Sequence, residues 1–347
     1  MNQSVNLISI LDRLSCFLPL STEQDQWLLN YQCYQSDAFI EQNQSQLYQQ
    51  KKQLFSQVYP TIESYCQQIN FTDQALIKQD LWALWLPLAL EIAHQQQQKN
   101  SVFVFGILGG QGTGKTTLTQ ILPLIWRELN LASVAISIDD LYKTYAERQA
   151  LQKIDPRLIW RGPPATHDVD LGLKTIDALL NQEKQVEIPR FDKSAYQGMG
   201  DRTTPQLVKP VDIVMLEGWL VGVEPIAETK FDKPPFPIIT EEDRQFAIVN
   251  NQRLQAYVPL WQKLDYLLVL NPREYQYSLQ WRQQAEHLMI SQGKTGMSDQ
   301  QIEEFVHYFW QALHPDLFIK PLTQKGAKSD LVVNINLNHG IDRIYRP

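Results

Sequence analysis

Val102–Leu108 (VFVFGIL), running directly into Gly109–Thr117 (GGQGTGKTT), decides how the rest of this chain is read. A run of β-branched and aromatic residues has the composition of a buried strand. It breaks into glycines and then Lys115, Thr116 and Thr117, matching G-x-x-x-x-G-K-[ST] between a strand and a helix. In such a loop the glycines let backbone N–H groups turn toward phosphate oxygens. The helix that follows adds roughly half a unit of positive charge at its start. Gly109, Gly110, Gln111, Gly112, Thr113, Gly114, Lys115, Thr116 and Thr117 are therefore expected to bind ATP, with Lys115 reaching the β/γ-phosphates and Thr116 ligating Mg²⁺. The plainer reading is a glycine-rich turn that packs a helix on a strand.

Downstream, Lys115–Leu129 places Leu118, Ile121, Leu122, Ile125 and Leu129 on one helical face, although Pro123 interrupts it. Further strands are predicted at Ala132–Ile138, Val211–Leu216, Leu264–Leu270 and Leu331–Leu337. Alternating strands and helices imply an α/β fold of the P-loop NTPase type, a mostly parallel sheet with helices on both faces whose ligands collect at the strands' carboxyl ends. Upstream, residues 21–100 are rich in Gln and aromatics and patterned at helical spacing, with Thr72 as a candidate N-cap before Leu76, Ile77, Leu81, Leu84, Trp85, Leu88 and Leu90. The polar tract Gln95–Asn100 separates the two textures. The expected division is thus an all-helical N-terminal region, 1–100, and a kinase-type domain, 101–347.

The bulk properties agree with a small-molecule protein. The 347 residues are 44% hydrophobic and 20% charged, within the globular range, and carry a net charge of −7. That balance argues against a nucleic-acid or anionic-membrane partner, since such a grip rests on clustered Lys and Arg. Cys16, Cys33 and Cys66 show no metal-ligand spacing and read as reduced thiols. The opening residues lack the basic start and cleavage site of a signal peptide, and no apolar run approaches the ~20 residues of a membrane span. A cytoplasmic setting is expected; oligomeric state is open.

Phosphoryl transfer needs a metal ion beside the phosphates and a group to orient or deprotonate the acceptor hydroxyl. Asp139 and Asp140 follow the second predicted strand and Glu217 follows the third. If these strands flank the one before the loop, all three acids face its crevice. Asp139 is assigned as base and metal-side carboxylate, and Glu217 as a second Mg²⁺-side carboxylate. Helix capping by Asp139 or Asp140, and a turn role for Glu217 before Gly218, remain alternatives. Arg190, Lys193 and Arg202 lie in Pro189–Arg202 (PRFDKSAYQGMGDR), whose glycines and polar residues suggest an anion-binding loop. His167–Asp168 is either an orienting pair or a helix start.

These residues carry a resemblance. GGQGTGKTT, SIDDLY (Ser137–Tyr142), RGPPATHD (Arg161–Asp168), PRFDKSAYQGMGDR, EGW (Glu217–Trp219), WRQQAE (Trp281–Glu286) and GMSD (Gly296–Asp299), in that order, resemble the plant-type D-glycerate 3-kinases, relatives of uridine kinase, phosphoribulokinase and pantothenate kinase. The similarity runs from about Val102 onward. It implies phosphorylation of D-glycerate by MgATP, with Asp139 as base and Glu217 as the acid of the EGW motif. It also implies that Arg282 swings over the transferring group from a lid helix. Asp140, Tyr142, Arg161, His167, Arg190, Lys193 and Arg202 are the candidate substrate residues. Three positions depart from the family pattern: Met199 for Arg, Ala165 for Gly, and Phe191 for Tyr. The first removes a charge from the loop expected to meet the acceptor's carboxylate.

Other readings keep part of this picture. The acceptor could be a nucleoside, pantothenate or a sugar phosphate. A GTP switch is disfavoured, because its T-K-x-D imitation at Thr229–Asp232 sits in a proline-bearing loop. A non-catalytic nucleotide-binding scaffold would need the cradle but not Asp139 and Glu217.

Overall fold

The computed structural model describes residues 6–31, 38–39, 45–293 and 296–347. Its first part is helical: α1 (Leu7–Ser15), α2 (Thr22–Asn30), α3 (Ser45–Gln68), α4 (Gln74–Asp80) and α5 (Leu86–Lys99). The cap of α4 is Asp73, whose side chain accepts from Leu76 N–H at 3.0 Å, one residue beyond the Thr72 predicted. The two neighbours are both capping residue types, so sequence could not separate them. Between α4 and α5 the helix widens into a π turn, Leu81–Trp85, immediately ahead of Pro87, which has no N–H for the α-helical ladder.

The remainder alternates strands and helices: β1 (Phe103–Gly109), α6 (Lys115–Glu128), β2 (Ser133–Ser137), α7 (Tyr145–Ile154), α8 (Val169–Leu180), β3 (Val186–Asp192), β4 (Asp201–Val208), β5 (Ile213–Gly218), α9 (Glu241–Arg253), α10 (Val258–Trp261), β6 (Tyr266–Pro272), α11 (Tyr277–Ser291), α12 (Asp299–Ala312), β7 (Leu331–Ile335) and β8 (Ile341–Tyr345). Six strands form one sheet in the order β2-β5-β1-β6-β7-β8, parallel except for β8. The predicted parallel sheet is present, and α6 continues through Pro123. Two expectations need correction. Of the two strands followed by the predicted acids, only β5 lies beside β1, with β2 beyond it. The two ends of the segment read as a loop, Pro189–Asp192 and Asp201–Arg202, lie in a separate antiparallel hairpin, β3–β4, with a bulge between Ile188 and Arg190, and 193–200 form its connection. Its polar residues face outward and Pro189 interrupts it, which masked the strand pattern.

Alternate residues along the strands enter two cores. Phe103, Phe105, Ile107, Met215, Leu268 and Val333 pack on one face with α6 and the N-terminal helices. Val104, Leu108, Val214, Leu216, Val269 and Val332 pack on the other with α8 and Leu254–Trp261. The helices before Phe103 are thus the cover of one sheet face and share its hydrophobic cluster. Trp126 on α6 joins them: fully buried, it donates its indole N–H to Ala89 O on α5 at 3.0 Å. Cys66 is buried in this cover, where burial raises its thiol to about 11, and Cys16 is exposed; Cys33 lies outside the described residues. Among the described residues no helix is long and apolar enough to cross a membrane.

Trp126→Ala should lower unfolding stability by about 3–5 kcal/mol, read as a lower urea midpoint with the slope retained. Trp126→Phe, which mainly loses the hydrogen bond, should cost about 1–2 kcal/mol. Equal midpoints for wild type and Trp126→Ala would mean that the helical cover contributes nothing there.

Candidate active site

The loop after β1 curls around its own backbone. Thr113 Oγ1 donates to Gly110 O at 2.9 Å, and Lys115 Nζ donates to the same carbonyl at 2.9 Å. Gly112 has φ of +77°, where a side chain is strained, and an added Cβ would stand 2.9 Å from Trp281 of α11. Trp281 is buried against this turn and donates its indole N–H to Leu337 O at 2.8 Å. His339, from the β7–β8 connection, stacks on Trp281 at 4.6 Å and places Nδ1 3.0 Å from Gly112 O. The cradle is therefore braced by α11 and by the turn before β8. Neither brace was visible in the sequence, since each sits more than a hundred residues from the motif.

Two acids stand near Lys115. Register aligns Glu217 with Ile107 of β1 on one side and Ser137 of β2 on the other, at the carboxyl end of the sheet. Glu217 lies within β5 rather than after it. Its neighbour Gly218 admits the next element closely, for a Cβ there would meet Ile138 at 2.4 Å. Ile138 opens the short 3₁₀ turn Ile138–Leu141, capped by Ser137, which carries Asp139 and Asp140. Burial lowers the Lys115 ammonium below its ordinary value, opposed by the charges of Glu217 and Asp139. Burial raises the Glu217 carboxyl, with Lys115 offsetting part of the rise. Burial would raise Asp139 too, but Lys193 at 2.6 Å, with a hydrogen bond from Tyr142, outweighs it and holds the carboxyl below the usual range.

The two adjacent aspartates have different work. Asp140 Oδ2 accepts from Ser137 N–H at 3.2 Å and pairs with Arg190 at 2.7 Å, while Arg190 also donates to Ala135 O at 3.1 Å and Gln206 at 2.6 Å. Asp140 and Arg190 thereby fasten the β3–β4 hairpin to β2. Arg202 is likewise occupied, donating to Tyr142 O at 3.1 Å and pairing with Asp168 at 2.7 Å. Asp168 caps α8, accepting from Leu171 N–H at 3.0 Å, so it is a helix start as well as an ion-pair partner.

His167 is buried and stacked on Tyr142 at 4.7 Å. Tyr257 Oη accepts from the backbone N–H of Ala165 at 3.2 Å and lies 2.7 Å from His167 Nδ1. His167 Nε2 is buried with no hydrogen-bond partner among the described residues. Burial pushes this imidazole down to about 4, so it is neutral at physiological pH. Tyr142 is buried, and its hydroxyl is hydrogen-bonded to Asp139. Arg161 donates to Gly198 O at 2.7 Å and Met199 O at 3.1 Å. On α11, Arg282 pairs with buried Glu286 at 2.8 Å and lies 5.8 Å over Phe305, while Glu286 also accepts from Met297 N–H at 2.9 Å. Thr116 is exposed at the first turn of α6 and Thr117 partly so.

A glycine-rich cradle with a lysine, a threonine hydroxyl and two acids fits a metal-bound nucleoside triphosphate. The oxygen donors of Thr116, Glu217 and Asp139 suit Mg²⁺, which keeps several of its waters and takes few protein ligands. No family model matches the chain. It is 31% identical over 284 residues to the chloroplastic D-glycerate 3-kinase of Arabidopsis thaliana, covering 75% of this chain and spanning only 60% of that protein's length. It is 33% identical over 224 residues to an uncharacterized kinase, mug58, of Schizosaccharomyces pombe, covering 62% of this chain and 81% of that one. The solved D-glycerate 3-kinase from Cryptococcus neoformans var. grubii shares its fold, with a TM-score of 0.69 at 24% identity over 76% of this chain and 99% of that one. Fold, cradle and likeness together define a protein of the P-loop kinase class. Within that class, the chain belongs to the family of the mug58 kinase, and it is similar to the D-glycerate 3-kinases over the part of their length that it spans.

The buried imidazole makes stability depend on pH. His167 titrates near 4 when folded but near 6.5 when unfolded, so between those values the unfolded chain binds more protons and stability falls as pH falls. His167→Gln should remove roughly 3 kcal/mol of that fall, measured as the difference between wild-type and variant unfolding free energies at pH 7 and pH 4. Parallel stability profiles would show that the imidazole is not held neutral.

Proposed function

We propose that this chain transfers the γ-phosphoryl group of ATP to the 3-hydroxyl of D-glycerate, yielding 3-phosphoglycerate and ADP. The carrying observation is Asp139: an ionised carboxylate at the end of β2, paired with Lys193 at 2.6 Å and close enough to Lys115 to shift its titration. In this reading the backbone of Gly109–Thr117 holds the phosphates and Lys115 the β/γ oxygens. Asp139 takes the hydroxyl proton as the acceptor oxygen bonds to the γ-phosphorus and the bond to the ADP oxygen breaks. Thr116, Glu217 and Asp139 would hold Mg²⁺, which when bound neutralises phosphate charge. Arg282 would approach the transferring group by leaving Glu286. The likeness to named D-glycerate 3-kinases supports the acceptor. A cytoplasmic location is part of the same proposal.

Asp140 and Arg190 are assigned here to fastening the hairpin, and Arg202 to bracing Tyr142 and Asp168, rather than to contact with acceptor. Lys193, whose side chain is 62% exposed, is free to exchange Asp139 for an incoming anion.

ADP release should be followed with Mg²⁺ and D-glycerate, L-glycerate, uridine, pantothenate, ribulose 5-phosphate or no acceptor. D-glycerate should be the substrate. Asp139→Asn should cut kcat by ~10²–10⁴-fold with ATP affinity nearly unchanged. Lys115→Ala should weaken both nucleotide binding and turnover. An Asp139→Asn enzyme at wild-type kcat would remove the base, and ATP binding without turnover on any acceptor would favour a scaffold.

A further inference from the structure

The basic residues around the acceptor side divide sharply by partner. Arg190, Lys193 and Arg202 are each matched to an aspartate, Asp140, Asp139 and Asp168, at 2.7, 2.6 and 2.7 Å. Arg148 and Arg161 make no ion pair with any described residue. Arg148 on α7 is 8% exposed and donates to Met199 O and Gly200 O, both at 2.6 Å, and to Lys143 O. Arg161 reaches the same turn through Nη1 alone, at Gly198 O and Met199 O, and its Nε and Nη2 bond to no described residue. Both guanidinium groups lie over the ring of Phe191, at 5.2 and 5.7 Å. Asp201, the carboxylate whose charge Arg148 feels, is occupied by the backbone N–H groups of Tyr145 and Arg202.

Two guanidinium groups lie against one ring, bonded only to neutral carbonyls, and Asp201 offsets their charge only from a distance without an ion pair. Like charges so close are costly unless an anion joins them. Position adds direction. Lys115 feels the charges of Glu217 and Asp139, and the Tyr142 hydroxyl is hydrogen-bonded to Asp139. Phe191 meets Tyr142 edge-on at 5.1 Å and carries Arg161 over its ring at 5.7 Å, so Asp139, Tyr142, Phe191 and Arg161 form one chain of neighbours.

We propose that Arg161, with Arg148 behind it and Phe191 beneath it, is the subsite for the acceptor's carboxylate. This rests on the phosphoryl-transfer reading above and deepens it. A hydroxyl at Asp139 and a carboxylate at Arg161 select a short hydroxy acid over a polyol or nucleoside. The open Nε and Nη2 of Arg161 form the fork that matches a carboxylate's two oxygens. Arg148 holds the turn and supplies charge, as a positioning residue.

The test compares D-glycerate with its neutral amide, D-glyceramide, by steady-state kinetics and by calorimetric binding in the presence of a non-hydrolysable ATP analogue. Arg161→Met should raise KM and Kd for D-glycerate roughly 10–100-fold, leave those for D-glyceramide within about twofold, and leave ATP affinity unchanged. Arg161→Lys, which keeps the charge without the fork, should fall between. If D-glycerate is turned over and Arg161→Met still prefers it to the amide as strongly as wild type, the subsite is overturned and the kinase reading stands. If wild type instead uses another hydroxy acid and Arg161→Met loses preference for it over its amide, the acceptor is corrected and the subsite stands. Wild type preferring neutral acceptors, or binding D-glycerate no better than the amide, overturns the subsite whatever the turnover.

Discussion

The site depends on keeping an ammonium group partly out of water. Lys115 opens α6 in a loop whose own carbonyl, Gly110 O, is its hydrogen-bond partner, and burial lowers its affinity for a proton. Such a group stays charged only with negative charge close by. The parallel register supplies it: β5 runs beside β1 so that Glu217 aligns with Ile107, and β2 beside β5 so that Ser137 aligns with Glu217. The turn after Ser137 then carries Asp139. The positions of the cradle, Glu217 and Asp139 thus follow from one geometric fact, that three neighbouring parallel strands end together.

A second organising device is the division of labour among aspartates. Asp140 anchors the β3–β4 hairpin through Arg190, and Asp168 anchors it through Arg202 while capping α8. Both pairs are partly screened from water, and each acid also accepts a backbone N–H, which makes them more than casual surface pairs. Asp139, with Lys193 on the exposed tip side, is the one held by a mobile-length side chain rather than by a planar fork. The arrangement lets the hairpin stay fixed while the charge beside Asp139 is exchanged.

Much of this was legible in the chain because it is local. GGQGTGKTT is contiguous, and the strands of the large sheet from β1 through β7 are apolar runs whose purpose is visible without partners. The acids at their ends were reached by position and by family resemblance. The hairpin was not legible: Pro189 and its outward polar residues hide the alternation that marks a strand, so Arg190 and Arg202 passed as loop residues. Arg148, Tyr257, Trp281 and His339 were missed for another reason. Each acts through a residue distant in sequence, Met199, His167, Gly112 and Trp281 respectively, and a single chain carries no sign of which distant residues meet. The same limit applied to Met199: its missing charge looked like a loss, whereas the fold brings Arg148 and Arg161 to its carbonyl.

The helical cover has a consequence for how the molecule assembles. The cluster it shares with the sheet draws on Phe55, Trp85, Phe105, Met215, Leu268 and Val333, residues scattered across nearly the whole chain. Glu91 of α5 is further tied to Arg346 at 2.6 Å, a separation of 255 residues. The helices that precede the sheet in the chain therefore expose an apolar face that has nothing to bury against until the strands follow. Closing contacts so far apart in sequence is entropically slow. Acquisition of the cover and of the sheet becomes a single late event, and during synthesis this face is the part of the nascent chain most exposed to wrong partners.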